Sequence, residues 1–158
     1  RKSEPKLTPC DLAEVIDDSV GFIETAARNR GVRIVREIQG MRPELMADPV
    51  MLEQVLLNLM RNGIEAMNGL PPERRRLTIK LGQVEAQMEI RVIDRGPGIP
   101  PEVLEKLFTP LFSTKADGMG MGLNICRSII EFHHGRLWVE NNPEGGSIFV
   151  ITLPIDRQ

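Results

Sequence analysis

Cysteine is nearly absent: Cys10 and Cys126 are the only two in 158 residues. Two cysteines without metal-ligand neighbours build neither a disulfide scaffold nor a zinc site, so a reduced chain and a cytoplasmic domain are expected. No apolar run approaches the length of a membrane span, and no charged-then-apolar opening marks a secretory signal. A basic excess is lacking too. The 20 Lys and Arg stand against 22 Asp and Glu, a formal net charge of −2. The diffuse positive field used to hold a phosphate backbone is missing, and no nucleic-acid partner is expected. Internal repeats and low-complexity tracts are absent, and histidine is confined to His133 and His134. The first residue is Arg1 and not Met, so the chain is expected to be a piece of something longer.

What is present is enough for one domain with a sizeable core. Residues 1–9 are polar, hold two prolines, and read as a linker or an arriving extended segment. From Asp11 to Arg30, Leu12, Val15, Ile16, Val20 and Ile23 recur at helical spacing, with Gly31 as the stop. Val32, Ile34 and Val35 alternate with arginines as in a strand, and Leu45–Ala47 is a second, short one. Asp48-Pro49 opens a helix reaching Asn68-Gly69, with Asp48 as N-cap and Pro49 in the first turn. Two strands, 77–84 and 88–94, form a hairpin. A short helical piece lies near Glu102–Leu107, and a third long helix spans Met121–His133. Two final strands, 137–140 and 147–153, flank a turn at 141–146. Helices mixed with hairpin strands predict an α+β fold: a two-layer sandwich in which a mixed, mostly antiparallel sheet of about five strands packs against three helices.

Three stretches carry chemistry. On the second helix, Gln54, Asn58, Asn62 and Glu65 recur at spacings of four, four and three, a polar stripe on an otherwise apolar helix. The stripe is either the exposed edge of a core helix or the wall of a wet cleft. A buried Asn without a partner costs about 1–3 kcal/mol, and amide oxygens suit Mg²⁺, which borrows further ligands from substrate phosphates. Gly63 would let something approach this helix closely. At the end of the strand 88–94 comes Asp94-Arg95-Gly96-Pro97-Gly98-Ile99, which is either a capped tight turn or a turn built for close approach to a bound molecule. Glycines at 118, 120 and 122, at the head of the third helix, read either as a flexible linker or as main chain able to wrap a phosphate chain. Ser113, Thr114 and Lys115 add hydroxyls and a cation just upstream. Phe108 and Phe112 anchor that segment, partly as a small satellite core.

Asn58-x-x-x-Asn62, Asp94-x-Gly96-x-Gly98, Phe108-x-x-x-Phe112 and Gly118-x-Gly120-x-Gly122-Leu123 occur in that order. The series resembles the N, G1, F and G2 boxes of sensor histidine kinases, across residues 11–154. The run from Leu107 to Pro154 is most similar to the nitrogen-regulation and oxygen-sensing branch. The resemblance implies the Bergerat ATP-binding fold shared with DNA gyrase, the heat-shock chaperone ATPase and mismatch-repair ATPases. It also implies a linker over 1–10 and a catalytic ATP-binding domain over 11–158, with ATP and Mg²⁺ as cofactors.

Residue by residue, the resemblance has Asp94 accept from the adenine amino group while Gly96 and Gly98 let the backbone pack on the nucleotide. Asn62 would hold Mg²⁺, Asn58 would support phosphate and metal, and Lys115 with the Gly118–Gly122 backbone would hold the triphosphate. The implied catalytic set is Asn58, Asn62 and Lys115. The implied ATP-binding set further takes in Ile99, Phe108, Phe112, Ser113, Thr114, Met119, Gly120, Met121 and Leu123. Arg61 and Glu65 are close enough by spacing to assist. Where many relatives carry Lys or Arg and then Tyr, this chain has Glu65 and Ala66.

The family's phosphoacceptor, a His in an H-E or H-D motif on a helical-hairpin domain, has no counterpart here. His133 and His134 end the third helix and read as caps interacting with its dipole. His134 falls where many relatives have Gly, which predicts a left-handed backbone. The implied function is the ATP-binding half of a protein-histidine kinase. It would donate the γ-phosphate to a histidine on its own dimerisation and phosphoacceptor domain, which then feeds a response regulator. The piece alone would be a monomer and the full protein a homodimer, with membrane attachment decided by the sensory part. Two other readings stand beside this one: an ATP-hydrolysing switch of the gyrase or mismatch-repair type, and a non-enzymatic docking module. The first is opposed by Asn58, which occupies the place of the water-activating Glu of hydrolysing relatives.

Overall fold

The computed structural model describes residues 5–110 and 122–155. In chain order the elements are β1 (Thr8–Cys10), α1 (Leu12–Asn29), β2 (Arg33–Ile38), β3 (Leu45–Ala47), α2 (Pro49–Ala66), a 3-10 turn (Pro72–Arg74), β4 (Arg76–Val84), β5 (Gln87–Ile93), α3 (Pro101–Leu104), α4 (Leu123–Phe132), β6 (Arg136–Asn141) and β7 (Ser147–Pro154). The main sheet runs β2-β4-β5-β7-β6. Only β2–β4 is parallel and the other three pairings are antiparallel, so the expected mixed, mostly antiparallel sheet of five strands is what the chain forms. Three long helices pack against it.

The two layers meet because side chains on the strands alternate. Ile79 pairs with Val92 and Leu81 with Ile90 across β4–β5, and Ile90 pairs with Ile151 and Val92 with Phe149 across β5–β7. All of these are buried, and they face the helices. The helices answer with Leu12, Val15, Ile16, Val20 and Ile23 of α1 and with Leu52, Val55, Leu56, Leu59 and Ile64 of α2. Both helix starts are capped, by Asp48 as the sequence predicts and by Asp11 at the expected start of the first helix. The Asp11 carboxylate accepts from Ala13 N–H and is held by Arg42 through Nε at 2.7 Å and Nη2 at 2.8 Å. Asp48 accepts from Val50 N–H at 3.0 Å and Met51 N–H at 3.2 Å.

Several expectations change in detail. Thr8–Cys10, placed in the linker, is a strand antiparallel to β3, so the arriving segment is stitched to the domain through a second, two-stranded sheet. The helical piece near 102–107 is a single turn, Pro101–Leu104. α2 stops at Ala66, ahead of Asn68-Gly69, and α4 begins at Leu123 behind its N-cap Gly122.

His133 keeps the helix-capping role expected of it and adds a contact to a second helix. It is 3% exposed. Its Nδ1–H donates to Ile129 C=O at 2.8 Å, capping its own helix, while Nε2 accepts from the Asp48 N–H at 3.0 Å. Through these two bonds His133 ties the end of α4 to the start of α2. His134 takes φ +65°, the left-handed backbone expected of it.

Candidate functional site

The polar stripe of α2 runs from outside to inside. Gln54 is exposed, Asn58 is buried, and Asn62 and Glu65 are half-buried. The exposed-edge reading therefore holds only for its first residue. Asn58 and Glu65 have partners within the protein. The Asn62 Oδ1 is buried and has no hydrogen-bond partner among the described residues.

Gly63 explains how the stripe reaches the Asp94 turn. A Cβ built on Gly63 would lie 2.7 Å from Leu77 Cδ1, 3.4 Å from Asp94 Cβ and 3.7 Å from Asp94 Oδ2. The close approach predicted at Gly63 is thus made by the ends of β4 and β5. It sets Asn62 and Asp94 on neighbouring sides of one contact.

Asp94 is 3% exposed and fully tied down. Its Oδ1 accepts from Gly96 N–H at 2.9 Å and Ser147 N–H at 3.2 Å, and its Oδ2 accepts from Ser147 Oγ at 2.7 Å. Its own N–H donates to Ser147 C=O at 3.0 Å. The glycines around it serve the protein first. A Cβ on Gly96 would stand 2.6 Å from the Ala66 carbonyl oxygen, so Gly96 lets the turn close on the end of α2. Gly98 has φ +83°, and next to it Ile99 exchanges two hydrogen bonds with the Asn141 side chain. Gly146, at φ +98°, leaves room for the Asp94 carbonyl, which a Cβ would meet at 2.0 Å.

Ser147, Asn141 and Gly146 were absent from the sequence-based candidates. The pairs are separated by 42 and 53 residues, and Asn141 and Gly146 lie in what the pattern shows only as a hairpin turn. A polar residue opening a strand that pairs beside Asp94 was the available signal for Ser147.

Further along, Phe108 is half-buried beneath Arg127 of α4, whose guanidinium carbon lies 3.9 Å from the ring centroid. Arg127 also donates to Leu137 C=O from Nε and Nη2. Leu123, in the first turn of α4, is half-buried. Phe112, Ser113, Thr114, Lys115, Gly118, Met119, Gly120 and Met121 lie outside the described residues. Both cysteines are free. Burial pushes the Cys126 thiol up to about 12, which leaves it inert as a nucleophile. A shallow groove of about 920 Å³ on the other face of the sheet includes Arg95 but not Asp94. Its charges are partly paired, Arg91 with Glu89 at 2.9 Å and Lys80 with Glu37 at 3.7 Å.

Among the described residues no three His, Cys, Asp or Glu side chains form a metal cage. What the protein offers a cation here is the orphaned Asn62 oxygen. A hard oxygen donor without a partner fits Mg²⁺, which takes few protein ligands and completes its shell from water and phosphate.

A five-stranded sheet under three helices, with an Asn-bearing helix meeting a strand-end Asp, defines a class of ATP-binding domains. The profile of the family described as histidine kinase-, DNA gyrase B-, and HSP90-like ATPase matches residues 47–157, and the chain belongs to that family. It is similar to the C4-dicarboxylate transport sensor protein DctS of Rhodobacter capsulatus, at 44% identity over all of this chain and 24% of DctS. It is also similar to the sensor protein FixL of Bradyrhizobium diazoefficiens, at 38% identity over 90% of this chain and 28% of FixL. The chain thus spans about a quarter of the length of these relatives. Among solved structures, the catalytic domain of the histidine kinase ThkA superposes with a TM-score of 0.83 at 34% identity, covering 95% of this chain and 96% of that one. ThkA has also been solved in complex with the response regulator protein TrrA, where the match covers 95% of this chain and 42% of that one, with a TM-score of 0.79 and 31% identity. The relatives are sensor histidine kinases, and the family's ATPase character implies that this domain binds ATP. No helix among the described residues is long and apolar enough to cross a membrane.

Proposed function

We infer that this domain binds Mg-ATP and presents the γ-phosphate to a histidine on a separate helical-hairpin domain of the same sensor kinase. The observation that carries this reading is the pairing of a fully pinned carboxylate with an unsatisfied amide oxygen. Asp94 is held rigid by three donors, and Asn62 Oδ1 has none among the described residues. A rigid acceptor suits a base that must be told from others, and an orphaned oxygen suits a cation that arrives with the nucleotide.

In this reading Asp94 accepts from the adenine amino group. Gly96, Gly98 and Ile99 shape the wall beneath the base. Asn62, with Asn58 one turn away, holds Mg²⁺, and Lys115 and the segment 118–122 hold the triphosphate. Bound Mg²⁺ would supply charge neutralisation across the phosphates. Phosphoryl transfer depends chiefly on such positioning and neutralisation, so the domain's task is to fix the nucleotide for in-line attack by the partner's imidazole. Asn58, an amide, cannot take a proton from water, which supports transfer over hydrolysis.

The acceptor would be the chain's own dimerisation and phosphoacceptor domain, and the phosphoryl group would pass on to a response regulator receiver domain. The domain would work in the cytoplasm as a monomeric unit of a homodimer, whose sensory part decides membrane attachment. Since β1 pairs with β3, the linker reading applies to the residues ahead of Thr8. The test mixes this domain with candidate helical-hairpin domains and γ-labelled ATP. Acid-labile phosphate on the hairpin is expected; multiple-turnover ATP hydrolysis by the domain alone, with no transfer, would overturn the reading.

A further inference from the structure

In the Asp94–Ile99 turn the residue with a left-handed backbone is Gly98. Its φ of +83° is a setting that glycine adopts without steric cost, yet glycine also has the most backbone freedom to lose. It carries no side chain through which the turn could hold it. Asn141, at the end of β6, does the holding. Its Oδ1 accepts the Ile99 N–H at 2.8 Å and its Nδ2 donates to the Ile99 C=O at 2.9 Å. An amide side chain here gives Ile99 the two bonds that a paired strand residue would give. The same Oδ1 lies 3.0 Å from the place of a Cβ on Gly98.

The β6–β7 turn therefore grips the loop at both ends. Ser147 and Gly146 hold the Asp94 end, where the carboxylate itself is touched. Asn141 holds the Ile99 end and touches only main chain. Asn141 is exposed, so its bonds add little to the stability of a fold whose core lies elsewhere. They act instead on the freedom of Gly98.

We propose that Asn141 is a positioning residue for nucleotide recognition: by pairing with Ile99 it fixes Gly98 and sets the base-facing loop before the nucleotide arrives. The assignment rests on the reading of Asp94–Ile99 as the adenine end of the pocket. Without the pairing, the nucleotide must order the loop itself, and fixing a residue's backbone carries an entropy cost.

The test compares the wild-type chain with Asn141→Ala and Asn141→Asp by calorimetric titration of ADP with and without Mg²⁺, thermal melting, and hydrogen exchange at the Ile99 amide. Asn141→Ala should weaken ADP binding about tenfold, equivalent to about 1.4 kcal/mol. The factor should be equal with and without Mg²⁺, because the defect is remote from the metal. Ile99 N–H should exchange faster in the nucleotide-free protein, with Tm within about 2 °C of wild type. Asn141→Asp keeps the acceptor for Ile99 N–H but turns an oxygen on Ile99 C=O, and should fall between the two. Unchanged ADP affinity in Asn141→Ala overturns the proposal, as does unchanged Ile99 exchange. So does a loss of affinity that tracks a large fall in Tm. If wild-type protein binds neither ADP nor ATP, the nucleotide-site reading itself fails and this assignment falls with it, a result distinct from equal affinities.

Discussion

Asn62→Ala should make the domain more stable and less able to use Mg²⁺. The Oδ1 of Asn62 is buried without a partner, and an unsatisfied buried acceptor costs about 1–3 kcal/mol. Removing it recovers that cost. Alanine is also the better helix former, by up to about 0.7 kcal/mol over residues such as Asn. Opposing these gains is the loss of packing around a half-buried amide, which holds the net change to about 1 kcal/mol of stabilisation. For a domain of this length that is a rise of about 2–4 °C in the Tm of the nucleotide-free protein. Calorimetry with ADP should at the same time show binding no longer strengthened by Mg²⁺. Asn58→Ala is the control with the opposite sign. Asn58 is 6% exposed and partnered, so its loss should lower stability by about 1–3 kcal/mol. A fall in Tm for Asn62→Ala as large as that for Asn58→Ala would refute the orphan argument. An intact Mg²⁺ effect would remove the metal assignment.

Asp94→Asn keeps an oxygen for the Gly96 and Ser147 N–H groups while an NH₂ replaces the oxygen that faces the Ser147 hydroxyl. The fold should survive and preference for ATP over GTP should vanish; competition binding that still favours ATP would count against base recognition by Asp94. Ser147→Ala removes the 2.7 Å bond to a carboxylate, worth about 1.5–3 kcal/mol. Thermal melting should register that loss, and ADP affinity should fall as the carboxylate loses its fixed orientation. Glu53→Gln tests charge between the helices. Burial, then the Asp18 carboxylate, raise the Glu53 carboxyl, so its ionised form works against folding at neutral pH. The variant should melt higher than wild type at pH 7, with the gap closing as pH falls through the carboxylate range and wild-type Glu53 takes up its proton. A gap that is constant with pH would deny the effect.

Local pattern carried far in this chain because the local rules agree with the fold. Helical spacing, the Asp48 cap, the stop at Gly31 and strand alternation located α1, α2 and the hairpin of β4 and β5. They also put Asn62 and Asp94 among the candidates. What stayed hidden was non-local. Ser147 and Asn141 matter only because β7 and the end of β6 come to lie beside the end of β5, and no spacing within the chain announces a register set by sheet pairing. The cap at His133 was legible, but its bond to the Asp48 N–H was not, because that contact depends on α4 packing over the start of α2. β1 is three residues long among prolines, too short for periodicity to be seen.

The two ends of the site are built on opposite principles. At Asp94 three donors already hold the carboxylate and leave one acceptor site on Oδ2 open, while glycines at 96 and 146 remove the Cβ atoms that would hold the chain apart. Such a site contributes specificity, since a mismatched base meets a fixed group that will not adapt. At Asn62 the polar oxygen has no partner among the described residues, a cost that a bound cation would recover in the proposed reading. In the proposed reading, that asymmetry would make affinity conditional on the metal while selectivity is not. ADP should therefore lose strength without Mg²⁺ yet keep its preference over GDP, whereas Asp94→Asn should lose the preference and keep the Mg²⁺ effect. Binding measured for both nucleotides in both proteins, with and without Mg²⁺, separates the two ends. If removing Mg²⁺ from the wild type erased the preference for ADP, the ends would be one coupled unit and the division of roles would be wrong.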